Sequence, residues 1–120
     1  MNYFFDTYGI IELIKENHNY QKFKETPIIT SALNIAETHF YFTEFFNINE
    51  ADKILNELNL SLVEASKEIA IEASKFRFKN KKLRMSYADC MGYNLAQKNN
   101  LIFVTGDDAF KDFEGVEFIK

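Results

Sequence analysis

The chain has one cysteine, one proline, four glycines, two histidines and no tryptophan in 120 residues. Each shortage excludes something. Cys90 alone can build neither a disulfide framework nor a cysteine-based zinc site, and a reduced, cytoplasmic setting is the simplest compartment for such a chain. So little glycine and proline, beside 47% hydrophobic and 16% aromatic residues, excludes a disordered chain and leaves a globular one with few breaks. Long apolar runs are missing as well. The longest stretch without a charged residue, Thr26 to Ala36, has 11 residues, several of them polar. A membrane-spanning helix needs about 20 apolar residues, and no cleavable leader pattern opens the chain, so no membrane partner is expected. At this length one domain over residues 1–120 is expected, burying about two-thirds of the surface its unfolded chain exposes.

What is present is unevenly spread. The net charge is -4, yet six of the fourteen basic residues fall in the ten positions 75–84, KFRFKNKKLR. Elsewhere eight basic residues face all eighteen acids. A basic block in an acidic chain can steer a polyanion locally. It can equally be a solvated helix end, where cations complement the macrodipole. Phe76 and Phe78 interleave with the cations; they either stack on unpaired bases or face the core, and the core is the expectation for both.

Hydrophobic spacing alternates between strand and helix. Strands are expected at Asn2 to Phe5, Ile28-Ile29, Leu60 to Val63, Leu101 to Val104 and Val116 to Ile119. Helices are expected over Thr7 to Glu16, Ala32 to Phe46, Ala51 to Leu58, Lys67 to Phe78, Ser86 to Gln97 and Asp108 to Phe113. Thr30 or Ser31 can cap the second helix. This alternation predicts an α/β domain: a three-layer α/β/α sandwich with a mainly parallel central sheet. Ligands of such sheets bind outside the carboxyl ends of the strands, near a switch in strand order.

That rule draws attention to four acids. Asp6 follows the hydrophobic run Tyr3-Phe4-Phe5, where an ionised carboxylate is costly unless a helix start, a cation or a metal compensates it. Asp107 follows the Leu101 to Val104 strand. Glu37 lies at the edge of the apolar face of the second long helix, and Asp89 in the first turn of the Ser86 helix. Each also has a purely structural explanation. Asp6 can cap the Thr7 helix, and Asp89 can complete a capping box with Ser86. Asp107 or Asp108 can cap the next short helix, and Glu37 can be a surface acid. His39 points to a different side of its helix from Glu37, and His18 is expected on a surface loop.

Taken in order, FDTYGIIELIKEN, ITSALNIAETHFY, SYADCMGYNLAQ and LIFVTGDDAF resemble the PIN domain, most closely the toxin ribonucleases of VapBC-type toxin–antitoxin pairs. The likeness runs from Asn2 to Ile119. The resemblance implies metal ligands at Asp6, Glu37, Asp89 and Asp107, a Mg²⁺ or Mn²⁺ ion, and RNA as substrate. It implies that Thr105 orients the last carboxylate or a water. It also implies a homodimer and a cognate antitoxin whose segment covers the acidic pocket. Asp108 doubles the last acid, although Asp107 better matches T-G-D.

The chemistry agrees with this expectation. Oxygen-only donors suit a hard cation such as Mg²⁺. Two carboxylates about 5 Å apart repel by about 3 kcal/mol at an effective dielectric of ~20, and a divalent ion reverses that sign. The run HFYFTEFF, His39 to Phe46, has aromatics on more than one helix face, so part of it is expected to meet another chain. The expected function is a metal-dependent endoribonuclease. The alternatives are a PIN-fold RNA-binding or scaffold unit without turnover, and a receiver-like signalling domain. The receiver needs an acidic pair at the first strand, a phospho-acceptor Asp at the end of a central one and a lysine near the last. Only Asp6 follows the first strand, Leu60 to Val63 ends in Glu64, and no lysine precedes the final strand in the right place.

Overall fold

The computed structural model describes residues 2–120. Five strands, β1 (Tyr3–Phe5), β2 (Ile28–Thr30), β3 (Leu60–Leu62), β4 (Ile102–Thr105) and β5 (Val116–Phe118), form one sheet in the order β3-β2-β1-β4-β5. Every pairing is parallel. The helices are α1 (Thr7–Ile14), α2 (Ala32–Phe45), α3 (Ile48–Asn56), α4 (Lys67–Lys79) and α5 (Tyr87–Lys98).

Alternation along the central strands divides the core between the two sheet faces. Phe4 and Phe103 lie fully buried on one face, stacked 5.8 Å apart, and pack with Ile69 and Ala73 of α4 and Cys90, Tyr93, Leu95 and Ala96 of α5. Phe5 and Val104 point the other way, onto Ile10 of α1 and onto Tyr20 and Phe23 of a 3-10 turn, His18–Phe23. A third cluster joins α2 to α3 through Phe42, Ala51 and Leu55. The three layers expected from the sequence are therefore present.

Each α-helix starts on a side chain that accepts a backbone N–H: Asp6, Ser31, Asn47, Ser66 and Ser86 in turn. Asn47 explains one departure, since it starts α3 at Ile48 rather than at Ala51. The helix expected over Asp108 to Phe113 is a single 3-10 turn, Asp108–Phe110. Two further 3-10 turns, His18–Phe23 and Lys81–Leu83, carry no clear periodicity in the sequence. Among the described residues no helix is long and apolar enough to cross a membrane.

Candidate metal and nuclease site

The chain runs from β1 outward through β2 to β3, then returns to lay β4 against the opposite side of β1. The crevice beyond the carboxyl ends of β1 and β4 is thus the switch in strand order where such sheets bind ligands. Asp6 follows β1 directly, and its N–H bonds to the carbonyl of Val104 in β4. Thr105 is the last residue of β4, and Asp107 lies two residues beyond. Asp89 comes to the same end of the sheet from the first turn of α5, and Glu37 from α2.

Asp6 is only 3% exposed. One carboxylate oxygen accepts the Gly9 N–H at 2.8 Å; the other accepts the Thr105 hydroxyl at 2.5 Å. Burial, with smaller contributions from the charges of Asp89 and Asp107, nevertheless pushes its pKa from 3.8 up to about 7 against the lowering effect of those two hydrogen bonds. The Asp89 carboxyl is also pushed up, first by burial; bonds from Ser86 oppose this, and the charges of Asp107 and Glu37 add to it. Asp6 therefore feels the charges of Asp89 and Asp107, and Asp89 those of Asp107 and Glu37. Asp108 stands outside this set: its side chain is 75% exposed and pairs with Lys120 at 3.0 Å.

The structural explanations for these acids hold too. Asp6 caps α1, Asp89 and Ser86 form a capping box, and Asp107 accepts the Ala109 N–H at 3.0 Å. Glu37 is no free surface acid, because it accepts the Thr7 hydroxyl at 2.6 Å, and Asn34 in turn donates to that hydroxyl. Thr105 corrects an expectation. Its hydroxyl donates to the first acid, not the last; its tie to Asp107 is through the Asp107 backbone N–H, which it accepts at 3.0 Å. The result is a relay from the Asp107 backbone through Thr105 to Asp6. Sequence patterns show neither this relay nor the Asn34–Thr7–Glu37 chain, because both join residues far apart in sequence.

The donor set fits a hard cation by its chemistry. All four groups offer oxygen, and Glu37, Asp89 and Asp107 each keep one carboxylate oxygen without a hydrogen bond among the described residues. As the side chains lie, no three acidic, histidine or cysteine groups among the described residues stand close enough to share one ion. That does not conflict with Mg²⁺, which retains several waters and is usually held through one or two carboxylates.

Two further expectations can be placed. His39 pairs with Asp52 of α3 at 2.7 Å, away from the acids. Phe76 packs into the core as expected, whereas Phe78 does not: it is 71% exposed, because two positions beyond Phe76 it falls on about the opposite side of α4 from Ile69, Ala73 and Phe76.

A family model for the PIN domain matches residues 3–116 of this chain. No curated protein sequence matches it. Solved structures do. A toxin–antitoxin complex from Klebsiella pneumoniae superposes with a TM-score of 0.73 at 20% identity, covering 97% of this chain and 96% of that one. Mycobacterium tuberculosis VapC20, described as a sarcin-ricin loop cleaving toxin, gives 0.73 at 14% identity over 97% and 99%. VapBC2 from Rickettsia felis, bound to a DNA fragment from its promoter, gives 0.78 at 16% identity over the whole of both chains. At such identities the superpositions establish the fold, and the family model establishes the kinship: this chain belongs to the PIN domain family, a family of nucleases.

Proposed function

We propose that the chain is a metal-dependent endoribonuclease and the toxin of a toxin–antitoxin pair. One observation carries this reading: a buried aspartate at the strand-order switch, whose ionised form is made costly by burial and then by the charges of Asp89 and Asp107, with Glu37 acting in turn on Asp89. Such a cluster is stable in its charged form when a cation sits within it. Asp6, Glu37, Asp89 and Asp107 would hold Mg²⁺ or Mn²⁺ between them, directly or through the waters that such an ion retains. When bound, a divalent ion supplies Lewis acidity and positive charge, which activate water and offset the charge on a phosphate under attack.

The chain's own groups prepare the site. Thr105 fixes the Asp6 carboxylate, Thr7 fixes Glu37, and Ser86 fixes Asp89. Three acids are thereby restrained before any ligand arrives, which reduces the ordering cost of binding. The named neighbours support RNA as substrate and an antitoxin as partner. A protein-facing surface is available on α2 and α3, where Phe40, Phe45, Phe46 and Ile48 are each more than half exposed; a homodimer or an antitoxin segment would cover it.

The competing reading is a PIN-fold RNA-binding unit without turnover. In its favour, every one of the four acids already serves in a hydrogen bond. Incubation with single-stranded and structured RNAs in Mg²⁺, Mn²⁺ or EDTA separates the two. The nuclease reading expects cleavage with either ion, none in EDTA, and a loss in Asp6→Asn of more than about a hundredfold, beyond what loss of a supporting group around a metal costs. Metal-independent RNA binding without cleavage would leave the acids as caps.

A further inference from the structure

The last turn of α4 and its connection to α5 remain unexplained by the acidic site; together they form one segment. It holds the densest positive charge of an acidic chain. Among the described residues none of Arg77, Lys79, Lys81, Lys82 and Arg84 forms an ion pair with a carboxylate, although Lys75 nearby pairs with Glu72. Two large aromatic side chains stand in water beside these cations: Phe78, 71% exposed, and Tyr87, 56% exposed. Each has a cation on its ring. Lys81 lies 5.0 Å from the Phe78 centroid and the Arg77 guanidinium 4.3 Å from that of Tyr87. Arg77 is itself fixed, donating from its Nε to the Met85 carbonyl at 2.9 Å.

We infer that this segment is a docking site for unpaired nucleotides of a single-stranded RNA, with Phe78 as the stacking platform and Lys81, Lys82 and Arg84 as the phosphate contacts. The inference rests on the ribonuclease reading for its substrate class and adds the feature that selects unpaired over paired RNA. Unpartnered cations call for an anion, but they would accept an acidic peptide equally well. The exposed rings decide between the two. A flat aromatic surface topped by a cation matches the π-face of a base, which an acidic side chain lacks. Position supports the same choice. Tyr87 opens α5 only two residues before Asp89, so a strand held along Phe78 and Tyr87 leads to the acids. In a duplex the bases are stacked on one another, and only the backbone would be within reach.

The test measures binding rather than cleavage. Fluorescence anisotropy of a labelled mixed-sequence single-stranded oligoribonucleotide is followed over a range of salt in EDTA, for the wild type, Phe78→Ala, Phe78→Trp and the double variant Lys81→Gln/Lys82→Gln. A duplex RNA and polyglutamate serve as comparisons. Phe78→Ala is expected to weaken single-strand binding by about tenfold without changing the salt slope. Phe78→Trp should retain the affinity, and duplex binding should be indifferent to either. The lysine variant should lower the slope of log K against log salt by about 0.7 per lost contact. Since Phe78 is exposed, melting temperatures should match across the set.

Wild-type affinity retained by Phe78→Ala would overturn the proposal, as would a wild type that binds no single strand. Polyglutamate competing as well as RNA, indifferent to Phe78, would assign the patch to an acidic protein instead. A wild type that binds RNA through Phe78 yet never cuts it would refute the nuclease reading and leave this one standing.

Discussion

Asp6 concentrates the chemistry of the molecule in one side chain. The folded protein holds a proton on it near neutral pH, whereas the unfolded chain releases that proton at the ordinary carboxylate value of 3.8. The sign of the linkage follows. Stability tied to Asp6 is fully present below the unfolded value and is lost as pH rises through about 7. A displacement of about three units corresponds to about 4 kcal/mol as an upper bound. Asp6→Asn should therefore equal the wild type in acid and become the more stable protein above neutrality, by up to about 4 kcal/mol, in metal-free urea unfolding. A gap that stays constant with pH would contradict the assignment of this group. The acid itself stands out in the sequence because it ends a run of aromatics. Its titration does not, because burial and the fields of Asp89 and Asp107 depend on how distant segments meet.

At the scale of elements, the turn after β4 joins stability to the site. Thr105 reaches Asp6, Asp107 starts a 3-10 turn, and Gly106 between them lets the chain pass beneath Tyr8. A Cβ at Gly106 would lie 2.2 Å from a Tyr8 ring carbon and 2.5 Å from the Ile119 carbonyl oxygen. The ring could swing aside; the backbone at Ile119, just past β5 and held by its N–H donating to the Thr105 carbonyl at 2.8 Å, could not. Gly106→Ala is expected to cost about 1–3 kcal/mol by overpacking, read as a fall in the urea midpoint at unchanged m-value. A neutral outcome would show the turn to be less constrained than its contacts imply. Most elements were legible from spacing and caps, as Ser31 and Ser86 illustrate. The start of α3 was not, since Asn47 reads equally well as a loop residue. Phe78 departs from expectation for a different reason: it lies two positions beyond Phe76, so helical periodicity itself puts it on about the opposite side of α4 from the stripe of Ile69, Ala73 and Phe76.

For the whole molecule, function follows from where the sheet changes direction and how charge is separated around that point. Acids gather at the carboxyl ends of β1 and β4, cations without an ion pair among the described residues lie at the neighbouring α4–α5 junction, and exposed Phe40, Phe45 and Phe46 lie along α2 and its junction with α3. The parallel α/β class was readable from the alternation of elements. Strand order was not, because it depends on which buried faces meet, and that order is what brings Asp6 beside Thr105 across 99 positions of sequence. The central claim is that the clustered acids bind a divalent cation. Calorimetric titration with Mn²⁺ above the Asp6 midpoint, on the wild type, Asp6→Asn and Asp89→Asn, tests it without reference to activity. Binding by the wild type that weakens by about tenfold or more in both variants is the predicted result; equal affinity in all three, or none in the wild type, would contradict it.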